Sequence, residues 1–130
     1  KRDVKGLLRA LKDGEACIYL PDQDYGRSRS IFVPFFAVPE AASTTGTLIF
    51  ARQKNTQTHM IIPTRNDDGS GYTLEIKPML ENFPTGDDTA DVLRVNQELE
   101  KAILVKPEQY MWLHRRFKTR PNEDDPSLYN

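Results

Sequence analysis

The sequence predicts an α/β domain, a mixed sheet flanked by helices, and three observations carry that expectation. Apolar residues recur at helical spacing in two well-separated stretches, around Val4–Leu11 and Val92–Ile103. Short apolar or alternating runs, the mark of strands, lie between them at 16–20, 31–36, 58–63 and 72–76. Strand-like runs interleaved with helical ones are the pattern of helices packed on a sheet.

Taken in order, Val4, Leu7, Leu8 and Leu11 predict a first helix, with Gly14 as its stop. The run Ala16–Leu20 before Pro21 predicts a buried strand with Cys17 as a small buried hydrophobe. Residues 21–30 form a polar loop, and Ile31–Phe36 is extended, with Pro34 marking an edge or interrupted strand. Pro39 suits the first turn of a helix running to Lys54. Residues 58–63 predict a second buried strand. The turn Asn66–Gly71 and the alternation of Tyr72, Leu74 and Ile76 then complete a hairpin with a half-buried strand. Asp87 and Asp88 suit the positive end of a helix whose buried stripe is Val92, Val95, Leu99 and Ile103. Pro107 opens a further helical stretch to Arg116 with Trp112 and Leu113 in the core, and the acidic tail from Asn122 is expected to fray.

A chain of 130 residues supports one domain, here 1–121, with 122–130 as a polar C-terminal tail. The net charge of −1 argues against a general nucleic-acid binder, so any anion site must be local. The single cysteine permits neither an intrachain disulfide nor a multi-cysteine zinc site, which fits a reducing compartment. The first residue is Lys1, and the opening reads as the middle of a helix, which points to a piece of a longer polypeptide.

Two segments carry chemistry. The loop at 21–30 sets Asp22 and Asp24 beside Arg27 and Arg29. It reads either as a polar pocket wall that orients hydroxyls and anions or as an Asx-stabilised surface loop. In the segment 109–121, the block Tyr110–Leu113 runs into His114, Arg115, Arg116, Lys118 and Arg120, the densest cationic cluster in the chain. Guanidinium forks suit phosphate or carboxylate, although cations ending a helix also complement its dipole. Familiar catalytic signatures are missing from the sequence. Gly26-Arg27-Ser28-Arg29-Ser30 lacks the last glycine of a nucleophile elbow, and the residues five beyond His59 and His114 are Thr64 and Thr119, so no H-x-x-x-x-D/E dyad exists.

Together, Arg2-Asp3-Val4-Lys5-Gly6, Pro21-Asp22-Gln23-Asp24-Tyr25-Gly26, Phe32–Ala37 and Pro107–Pro121 resemble the Kdo-dependent secondary acyltransferases of lipid A assembly, lauroyl/palmitoleoyl type. Thr64 departs from the family's pattern, in which a Val-Pro-rich strand ends in paired arginines. The resemblance implies the C-terminal part of a glycerophosphate-acyltransferase-like fold, with the histidine–carboxylate dyad and a membrane helix upstream. It implies acyl transfer, without a cofactor or metal, from acyl carrier protein to a Kdo-bearing lipid A precursor at the cytoplasmic face of the inner membrane. Acceptor binding is carried over to Asp22, Asp24 and Arg27, and Arg65 resembles the arginine closing the next block. For His114, Arg115 and Arg116 the match lies in the motif, and the expected role is either a grip on phosphate or Kdo carboxylate or a packing role. The other expectation is a peripheral module that binds anionic lipid through Arg115–Arg120.

Overall fold

The computed structural model describes residues 3–129; Arg2, the first residue of the leading motif, lies outside them. Helix α1 (Val4–Lys12) is capped by Asp3, whose carboxylate accepts from the Gly6 amide at 2.8 Å. It ends where Gly14 adopts φ +87°, a conformation that glycine takes without strain. None of its residues is buried, so its apolar stripe is only partly covered.

The expected strand at 16–20 does not form. Residues 15–20 are irregular, Ile18 is 78% exposed, and Cys17 is only half-buried. An apolar run becomes a strand only beside a partner, and among the described residues none pairs with it. Tyr19 anchors this stretch instead, with its hydroxyl 3.0 Å from that of Thr44 and its ring against Phe50.

Strands β1 (Ser30–Phe35) and β2 (Val38–Thr44) form an antiparallel hairpin in which Ser30 faces Thr44 and Phe35 faces Val38. The register shifts between Val33 and Phe35, which lets Pro34 sit at a bulge without a ladder hydrogen bond. The helix expected from Pro39 is thus corrected over its first half, and only α2 (Gly46–Ala51) is helical. The small residues Ala41, Ala42, Ser43 and Thr44 are all buried. They allow close packing on the strand, an advantage that local helix propensity does not register. Helix α3 (Asp88–Val105) fastens the turn, since Glu100 Oε1 accepts from the Phe36 amide at 2.6 Å.

Strands β3 (His59–Arg65) and β4 (Tyr72–Met79) form a second antiparallel pair around the 66–71 turn. Their burial departs from expectation: β3 alternates between exposed and half-buried, and β4 is exposed throughout. Helix α3 (Asp88–Val105) begins as predicted, with Asp87 capping the Ala90 amide at 3.0 Å. Val92 and Val95 are buried on it, as is Ile103. It packs on β1 in two clusters, Val33–Leu48–Val92 and Phe35–Ala41–Ile103. The α/β expectation holds, with the four strands among the described residues divided between two antiparallel pairs. No described helix is long and apolar enough to cross a membrane.

Beyond α3 the predicted second helix is replaced by two 3₁₀ turns, Pro107–Gln109 and Trp112–His114. Leu113 is 93% exposed and Trp112 is half-exposed, so neither is a core residue. The tail, expected to fray, folds back: the Tyr129 hydroxyl accepts from the Phe117 amide at 2.9 Å, and Glu123 meets Arg27.

Candidate functional site

The loop that carries Asp22 and Asp24 lies against the segment 114–121, more than ninety residues away in sequence. Asp24 is buried and makes the closest links. One carboxylate oxygen accepts from the Gly26 amide at 2.9 Å and the Thr119 hydroxyl at 2.8 Å, and the other accepts from the Thr119 amide at 2.8 Å. The Asx turn of the surface-loop reading is therefore present, and the same side chain also clamps the distant segment. Its oxygens are occupied by the protein's own donors.

Asp22 is half-buried, and its backbone carbonyl lies 3.2 Å from His114 Nε2. The other ring nitrogen of His114 faces the Met111 carbonyl. Both partners are backbone acceptors. The Asp22 carboxylate lies beside the Tyr110 hydroxyl, and its charge reaches both Tyr110 and Arg116. Burial, and then the Asp22 charge, push the Tyr110 hydroxyl well above the usual tyrosine range.

Arg116 is fully buried. Its Nη1 donates to the Ala42 carbonyl at 2.7 Å and its Nη2 to the Ser43 hydroxyl at 3.0 Å, while its plane lies 4.7 Å over the Phe35 ring. Asn96 joins the same network, donating to Ser43 Oγ and the Pro34 carbonyl. Burial pulls the Arg116 pKa below its ordinary value, opposed by Tyr110, Asp24 and Asp22.

Arg115 adopts a left-handed backbone, φ 52°, which turns it away from Arg116 and sets its guanidinium 5.9 Å from the Tyr129 ring. Arg27 bonds through Nε to the Arg120 and Pro121 carbonyls and through Nη1 to Glu123. Arg65 stands at the end of β3 with its side chain exposed. Its backbone N–H and C=O are bridged by the Gln109 amide at 2.8 and 3.0 Å. Among the described residues, no hydrogen bond joins the Arg65 side chain to the 21–27 loop.

The structure thus gathers Asp22, Asp24, Arg27, His114 and Arg116 around one junction and leaves Arg65 and Arg115 on its outside. Sequence reasoning missed Thr119, Gln109 and Tyr110. All three fall inside the cationic motif, where the charges drew attention from them. Among the described residues no three His, Cys, Asp or Glu side chains group to hold a metal ion.

Residues 1–119 match the profile of a family described as bacterial lipid A biosynthesis acyltransferase. This chain belongs to that family. Among its relatives, a lipid A biosynthesis lauroyltransferase of Escherichia coli (strain K12) is 48% identical over 129 residues, covering 99% of this chain and 42% of that protein. A lipid A biosynthesis acyltransferase of Haemophilus influenzae is 46% identical over 131 residues, with 100% and 42% covered. A lipid A biosynthesis palmitoleoyltransferase of Escherichia coli (strain K12) is 45% identical, with 99% and 42% covered. The chain therefore spans about two-fifths of the length of these acyltransferases.

Proposed function

We propose that the chain is the C-terminal portion of an acyltransferase. Its reaction would move a fatty acyl group from acyl carrier protein to a hydroxyacyl chain of a Kdo-bearing lipid A precursor, at the cytoplasmic face of the bacterial inner membrane. The observation that carries this reading is the junction itself, because two segments of the family resemblance meet there through Asp24–Thr119 and His114–Asp22. Family membership and the named activities of the relatives support it.

Thioester-to-hydroxyl transfer needs a base at the acceptor hydroxyl, donors for the developing oxyanion, and a hold on the acceptor that orients it. The base belongs to the part of the enzyme upstream of this chain. The hold belongs to the junction. Asp22, whose carboxylate lies beside the Tyr110 hydroxyl, orients acceptor hydroxyls, while Asp24, His114, Arg27 and Arg116 position it. Arg65 and Arg115 present cations at the rim. The alternative, a lipid-binding module without chemistry, loses Arg116 from its cationic patch, because that charge is buried.

In the full-length enzyme, Asp22→Ala is expected to lower kcat/KM about tenfold or more while membrane association in a flotation assay is unchanged. The 130 residues alone are expected to show no acyl transfer. Transfer by this segment in isolation would overturn the upstream placement of the base.

A further inference from the structure

The fold splits the cationic run at 115–120. Arg116 goes inside and Arg115 lies near Tyr129, while Lys118 and Arg120 line one open cleft of about 330 Å³. Arg27 forms part of its wall, and the folded-back tail supplies the rest. The two carboxylates in this cleft are engaged. Glu123 pairs with Arg27 at 3.0 Å, and Asp125 accepts from the Asn122 amide at 2.9 Å.

Beyond the Asn122 hydrogen bonds, the Arg120 and Arg27 charges also hold the Asp125 carboxyl below its usual range, but at a distance that forms no ion pair. Arg120 Nε is buried with no hydrogen-bond partner, and neither Arg120 nor Lys118 forms an ion pair with a described residue. A buried N–H is ordinarily satisfied, so one left open in a cleft beside a second uncommitted cation calls for an acceptor. Arg27 holds the Arg120 backbone in place through its bonds to the Arg120 and Pro121 carbonyls. An oxyanion suits this geometry, because a guanidinium offers it two parallel donors.

We propose that this cleft grips an oxyanion of the acceptor lipid's headgroup, a phosphate or a sugar carboxylate, with Arg120 as the main donor and Lys118 as the second cation. This assignment rests on the acyltransfer reading above and adds to it the part of the acceptor that the cleft recognises.

The test uses the full-length protein in detergent with Arg120→Gln, Lys118→Gln and Arg120→Lys. Three acceptors are compared: the intact precursor, one stripped of phosphate, and one stripped of its acidic sugar. Arg120→Gln is expected to raise KM for the intact precursor about 10- to 100-fold with kcat little changed. Lys118→Gln should raise it less, and Arg120→Lys should recover part of the loss. On the stripped acceptor that lacks the gripped group, Arg120→Gln and the parent should be equal, which identifies phosphate or carboxylate. An equal loss on all three acceptors, or no loss on any, overturns the proposal. So does inorganic phosphate competing as strongly as the intact lipid, since the cleft would then serve a free anion. Direct binding of the intact precursor without donor keeps the two readings apart. If the parent transfers no acyl group yet binds the precursor in an Arg120-dependent way, acyl transfer fails and the cleft assignment stands. If binding ignores Arg120, the cleft assignment fails.

Discussion

Arg116 brings a positive charge into the interior with no carboxylate in ion-pair range among the described residues. Two hydrogen bonds and the Phe35 ring face hold it. Arg116→Met keeps the apolar stem but strands the Ala42 carbonyl, and it takes one donor from Ser43 Oγ. The expected cost is about 2–4 kcal/mol, read as a lower denaturation midpoint of the purified full-length protein. An unchanged midpoint would show that the network contributes nothing to stability. The sequence marked Arg116 as chemically important without revealing which way it faces. That direction depends on the left-handed turn at Arg115, which sends adjacent arginines to opposite sides. Asp24 was equally visible as a carboxylate, but its partner Thr119 could be found only once the chain had folded.

Helix α3 is the best-determined element, because its cap, acidic first turn and apolar stripe agree. Asp91 carries most of the load at its start. It is 1% exposed and accepts from the Thr85 amide, the Thr85 hydroxyl and the Gly86 amide. Asp91→Ala is expected to cost about 2–3 kcal/mol, against about 1 kcal/mol for the exposed cap change Asp87→Ala. Thermal unfolding of both variants checks the ranking, and equal costs would contradict it. The β3–β4 hairpin was legible from its turn and alternation. The stretch 39–44 was not, because Pro39 and small residues suit a helix start as well as a tightly packed strand. The pairing of β2 with β1 and the cover from α3 decided between them.

For the molecule as a whole, two two-stranded sheets leave several strand edges open, and one face of the second hairpin is apolar. Tyr72, Leu74 and Ile76 are each more than 60% exposed on that face, across from Ile61 and Pro63. Isolated hairpins are marginal in water, and exposed apolar faces beside open edges promote association. The 130-residue chain on its own is therefore expected to self-associate in analytical ultracentrifugation. Leu74→Lys with Ile76→Lys should shift it towards monomer. A monomeric parent chain would contradict this account of the face.

The sequence by itself determined helices α1 and α3, the hairpin turn and, through motifs held in order, the family. Those features depend on local spacing, capping and residue identity, which a linear reading contains. Only the tertiary structure decided which charges are spent internally and which stay open. Asp24 and Arg116 are bound inward, whereas Lys118 and Arg120 line a cleft. That division depends on burial and on partners from distant parts of the chain, and such contacts exist only after the 21–27 loop meets the 107–121 segment.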